Sequence, residues 1–92
     1  MTHGSFLLKK HPPTGPAAKE ARVWWAVLRQ AAHDVVHGDR TEAWDGAEFL
    51  RYTGWWLAES LFNIPYEDTQ KELLKLMRLS RTGAFDEALD DN

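Results

Sequence analysis

The 92 residues contain no cysteine, which excludes disulfide scaffolds, thiolate metal sites and cysteine nucleophiles and makes a cytoplasmic setting the simplest expectation. Long apolar runs are missing as well. Near the start, MTHGSFLLKK has only Phe6, Leu7 and Leu8 together, far short of a signal-peptide core or a membrane span, so no membrane partner is expected. No internal repeat, low-complexity tract or strand-like alternation is present, nor a strong catalytic or cofactor signature, and a non-enzyme without cofactors is the expectation. A chain of this length makes one small domain with a modest core.

Charge and tryptophan are what the chain has in unusual measure. The formal net charge is −3, yet residues 1 to 40 hold six Lys/Arg against three Asp/Glu, while residues 41 to 92 hold five against eleven. The C-terminal half therefore repels polyanions. Five tryptophans stand at three places, two of them adjacent pairs, Trp24-Trp25 and Trp55-Trp56. Neighbours on a helix lie about 100° apart, so one small core does not readily take both rings of a pair.

The expected fold is all-α, a compact bundle of about four helices with a long first helix and a helix-turn-helix-like C-terminal pair. Its longest element runs from Ala17 to His37. There Ala21, Trp24, Trp25, Leu28, Ala31, Ala32 and Val35 share one side of a helix, Pro16 suits its first position and Gly38 a left-handed stop. Val23 and Val27 widen the apolar stripe beyond what one contact needs. Before it, residues 1 to 16, with Pro12, Pro13, Gly15 and Pro16, read as a flexible arm whose Phe6 to Leu8 can fold back on a core edge. A second helix, roughly 40 to 52, is announced by Asp39-x-x-Glu42, with Thr41 as a rival cap. Its inward face is Ala43, Trp44, Ala47 and Leu50, and Gly46 is a point of weakness or breakage. Thr53 and Gly54 are expected to interrupt. Trp55 to Phe62 then gives a third helix, with Trp55 or Trp56, Ala58, Leu61 and Phe62 inward and Asn63 as its left-handed stop. Pro65, Glu67 and Asp68 start a fourth helix to about Leu79, with Thr69, Leu73, Leu76, Met77 and Ser80 toward the core. The helical domain is thus residues 17 to 80. Residues 81 to 92 form an acidic tail, either solvated or a short helix docked by Phe85 and Leu89.

The string Trp25-Ala26-Val27-Leu28-x-Gln30-Ala31-x-x-Asp34, then Ala47-x-Phe49-Leu50, then the aromatic-led helix from Trp55 to an Ile64-Pro65 restart, resembles a group of small helical proteins encoded by bacteriophages and prophages. The resemblance spans roughly residues 22 to 79, mostly in packing residues. It implies a phage-type origin and no particular activity. The chain departs from that group where Phe62-Asn63 replaces a glycine turn and where Ala58, or its neighbour, replaces a cysteine.

Three patterns invite a chemical reading. His33-Asp34-Val35-Val36-His37 has the spacing of a zinc-binding H-E-x-x-H helix, but a third ligand is lacking, Asp is shorter than the Glu base, and histidines in a last turn are favoured by the helix dipole alone. No metal site is therefore assigned. The segment Trp55 to Leu79 looks like a helix-turn-helix whose Lys71, Lys75 and Arg78 would reach phosphates; Glu67 and Asp68, at the end that ought to meet base edges, oppose it. The outer rings of the tryptophan pairs, finally, suit an anchor for a protein partner. The expected function is accordingly binding and modulating, for example inhibiting, a host or phage protein, in the host cytoplasm if phage-encoded. Trp24, Val27, Trp55 and Trp56 are the anchors. Glu67, Asp68 and Glu72, with Asp86, Glu87, Asp90 and Asp91, steer it to a basic surface, and a second copy of the chain is the other candidate cover for the apolar patch. A DNA-binding regulator is the alternative.

Overall fold

One face of the first helix carries the fold. In the computed structural model, which describes residues 6–8 and 19–90, α1 spans Lys19–His37. It buries Ala21, Trp25, Leu28, Ala32 and Val35, alternately four and three residues apart, the spacing of a single inward stripe. Trp24 departs from the expected face. Set about 100° round from Trp25, it is 42% exposed where Trp25 is 2% exposed. The expected start of this helix at Pro16 and Ala17 lies outside the described residues, as do residues 1–5 and 9–16 of the arm. Phe6–Leu8 form one 3₁₀ turn, which folds back against α1 and buries Leu7 completely.

Gly38 ends α1, but not in the left-handed conformation expected of it; among the described residues only Asn63 and Gly83 have positive φ. What requires glycine is space. A Cβ at Gly38 would lie 2.6 Å from the Asp34 carbonyl oxygen and 2.7 Å from Glu42 Cβ, because the cap of the next helix closes over this point. In α2, Arg40–Phe49, the Glu42 N–H donates to Asp39 Oδ1 at 2.8 Å and the Asp39 N–H donates to Glu42 Oε1 at 2.9 Å. Asp39, not Thr41, is therefore the cap, and two orphan donors are satisfied reciprocally.

Gly46 does not break α2. The helix crosses α1 there, and a Cβ would stand 2.5 Å from the Ala31 carbonyl oxygen, so the missing side chain sets how closely the two helices approach. Nor do Thr53 and Gly54 interrupt. A π-helical turn, Leu50–Gly54, leads directly into α3, Trp55–Phe62. Such a turn takes in an extra residue, which sets later side chains back by about 100° relative to a straight α-helix. Ala58 and Phe62 are buried as expected, Leu57 is buried with them, and Leu61, expected inward, is exposed. Asn63, at φ 56°, ends α3 as expected.

Pro65 is extended, with ψ 149°, and stands at the cap of α4, Tyr66–Arg78, not within its first turn. Glu67 and Asp68 follow at the positive end of the helix. Thr69, Leu73 and Leu76 are buried, with Met77 packed at the core edge. The chain then turns through Gly83 at φ 66°, the Arg81 N–H donates to the Val36 carbonyl at 2.9 Å, and Ala84 and Phe85 enter the core. A five-residue helix, α5, Asp86–Asp90, packs Leu89 against it. Of the two readings of the C-terminal segment the docked helix is the one formed. The architecture is an all-α bundle of four main helices around Trp25, Leu28, Leu50, Phe62, Leu76 and Phe85. Among the described residues there is no strand, and no helix is long and apolar enough to cross a membrane.

Candidate functional site

Because α4 turns its core face to α1 and α3, a second stripe is left over. Tyr66, Gln70, Leu74 and Met77 follow at spacings of four, four and three, and across from them Trp44, Glu48, Arg51 and Tyr52 descend α2 and the π turn. Together with Ala47, Glu67 and Leu73 these residues line a groove of about 510 Å³. Trp44, Tyr52, Tyr66 and Leu74 are each exposed over 42–67% of their surface. The π turn continues the wall, so that Arg51, Tyr52, Trp55 and Tyr66 line a second, shallow hollow beside the first.

Ring contacts stiffen the walls. Trp55 and Tyr66 meet edge to face with centroids 5.0 Å apart, and Trp44 lies against buried Phe85 at 4.7 Å; each such pair adds roughly 0.5–1.5 kcal/mol beyond its buried area. Trp44 was expected to face inward. Held by Phe85 on one side, it opens to the groove on the other. The Gln70 Nε2 is buried with no hydrogen-bond partner among the described residues, a position at which a native amide usually has one.

The residues singled out from sequence do not form one site. Trp24 and Val27 are exposed on α1 and line neither hollow. Trp55 is half-buried and belongs to the second hollow, while Trp56 is 50% exposed. Glu67 lines the groove; Asp68, Asp86 and Glu87 are exposed outside it. Glu72 is a correction: at 4% exposure it is buried, with Lys75 Nζ 3.6 Å from its Oε1, because it lies one turn beyond Thr69 on the inward face of α4. It offers no charge to a partner. Lys75 itself remains exposed, as do Lys71 and Arg78. Trp44, Tyr52, Tyr66 and Leu74 were missed as site residues. Their signal was the i, i+4, i+8 spacing of Tyr66, Gln70 and Leu74 and the two-turn step from Trp44 to Tyr52.

His33 and His37 do come together, with ring centroids 4.7 Å apart. Lost hydration first, then the charges of Arg81 and His33, hold the His37 imidazole below its ordinary value. Among the described residues no group of three or more His, Cys, Asp or Glu gathers to hold a metal ion. No family model matches the chain, and no curated protein or solved structure matches it.

Proposed function

We propose that the protein is a non-enzymatic binding module that receives apolar side chains of another protein in the groove between α2 and α4. The observation that carries this reading is the convergence of four half-exposed large side chains, Trp44, Tyr52, Tyr66 and Leu74, on one concavity. Apolar side chains gathered in an exposed groove often mark an interaction site, and an amphipathic helix laid into a groove is a common cover. Glu48 and Glu67 outnumber Arg51 in the lining, and with Asp68, Asp86 and Glu87 outside it they favour a partner with basic flanks. The phage-type resemblance extends the proposal to a host or phage target, bound and inhibited in the cell interior.

Comparison of the tagged protein with its Tyr52→Glu/Leu74→Glu variant tests the groove. Both side chains are exposed, so the variant is expected to fold normally. A target captured from lysate and identified by mass spectrometry should bind the variant at least tenfold more weakly, a loss typical of an interface hot spot, and its capture should decline with added salt. Undiminished binding by this variant, with loss in Trp24→Ala/Val27→Ala, would move the anchor to α1.

The connection from α3 to α4 supports a second reading, DNA binding. Only Asn63, Ile64 and Pro65 join the two helices, and Lys71 and Arg78 are exposed. Under it, Lys71→Ala/Lys75→Ala/Arg78→Ala would abolish retention of the protein on DNA in a mobility-shift assay. We expect little retention even without substitution, because Glu67 and Asp68 stand where base contacts would form and Lys75 is drawn to Glu72.

A further inference from the structure

The other side of α1 carries a different chemistry. Arg29, His33 and His37 follow one another at intervals of four, so their side chains stand in a row about 12 Å long. All three are exposed and, with Leu8, Ala26 and Gln30, they line a concavity of about 440 Å³. A fourth basic group arrives from the far end of the chain. The bond from the Arg81 N–H to the Val36 carbonyl at 2.9 Å fixes the turn after α4 against the end of α1, close enough for the Arg81 charge to act on His37.

Among the described residues the ion pair formed is Lys75 with Glu72, and none involves Arg29 or Arg81. Asp34, the acid in this part of α1, accepts from Gln30 Nε2 at 2.9 Å. Glu42, next beyond the end of the helix, is engaged in the cap of α2. Arg29, without an ion pair, and the two imidazoles thus share a hollow with the apolar side chains of Leu8 and Ala26.

We infer that this hollow is a binding site for a small phosphomonoester, its phosphate held by Arg29, Arg81, His33 and His37 and its organic part resting on Leu8 and Ala26. Guanidinium forks match phosphate oxygens in a bidentate manner, and the imidazoles add donors between them. A transition metal would meet the two imidazoles but also two arginines that repel it. The site is independent of the groove, which lies between α2 and α4.

The test is a titration of the full isotope-labelled chain with inorganic phosphate and with phenyl phosphate, following the His33 and His37 ring resonances by NMR against chloride at matched ionic strength. Both resonances should move saturably, and phenyl phosphate should bind more tightly because its ring reaches the apolar floor. In Arg29→Ala/Arg81→Ala, binding should weaken about tenfold or more, as loss of hydrogen bonds to a charged group implies. Folding should be unaffected, since the fold uses the backbone of Arg81. Equal affinity for the two probes would overturn the phosphomonoester in favour of free phosphate. Shifts that merely track ionic strength, saturable binding undiminished in the double variant, or a response to zinc but not to phosphate would overturn the site.

Discussion

Replacing Trp25 with alanine is expected to unfold the protein or bring it close to unfolding, while the same change at Trp24 leaves a folded chain. Trp25 is 2% exposed and meets Phe62 edge to face, centroids 5.0 Å apart, so its ring joins α1 to the end of α3. Truncating a buried tryptophan costs about 3–5 kcal/mol, transfer and cavity together, out of a total stability of about 5–15 kcal/mol for a domain. At about 4–8 °C per kcal/mol for a domain of this size, the thermal midpoint should drop by well over ~12 °C. At Trp24, still 42% exposed, much less surface returns to water, and the loss should stay within about 1 kcal/mol. Circular dichroism melts of the two variants check this. Equal losses at the two positions would mean that the assignment of one inward and one outward ring is wrong.

Gly46→Ala should also destabilise, against its helix propensity. In an exposed helix interior, alanine gains about 1 kcal/mol over glycine. Here the new Cβ would lie 2.5 Å from the Ala31 carbonyl oxygen, 3.2 Å from Val35 Cγ2 and 3.3 Å from Asp34 Cβ. The nearest atom is backbone, which has no rotamer by which to move aside. Either α2 lifts from α1 or the backbone of α1 distorts, and overpacking of this kind costs about 1–3 kcal/mol. Urea unfolding of Gly46→Ala should show a lower midpoint, and Gly46→Val a lower one still. A stability gain from Gly46→Ala would show that the helices part freely and that their close approach is not what the glycine serves.

The groove between α2 and α4 was only partly legible in advance. Periodicity on α4 separates inward Thr69, Leu73 and Leu76 from the rest, but it does not say whether the neighbouring stripe Tyr66, Gln70 and Leu74 faces water or a hollow. That depends on where α2 lies. Trp44 illustrates the limit: its position marks it as inward, and it becomes half-exposed because Phe85, from the C-terminal segment, supports only one side of the ring. Glu72 shows the reverse. A lone glutamate on a helix is most simply read as solvated, and only the fold of α4 against the body of the protein buries it.

Local chemistry determined the helices themselves. The 3.6-residue stripe in α1, the reciprocal Asp39 and Glu42 cap, Asn63 as a left-handed stop and the acidic first turn of α4 each act within a few residues, so the chain specifies them without reference to distant parts. What tertiary structure decided lies wherever two segments compete for one space. The closeness of α1 and α2 made Gly46 a contact and not a break; the need to bring Phe62 to Trp25 is met by the π turn, which no local signal announced. The bond of the Arg81 N–H to the Val36 carbonyl and the meeting of Trp44 with Phe85 likewise depend on how the chain returns on itself. Those pairings rest on packing between residues far apart in sequence, and periodicity and capping carry no information about them.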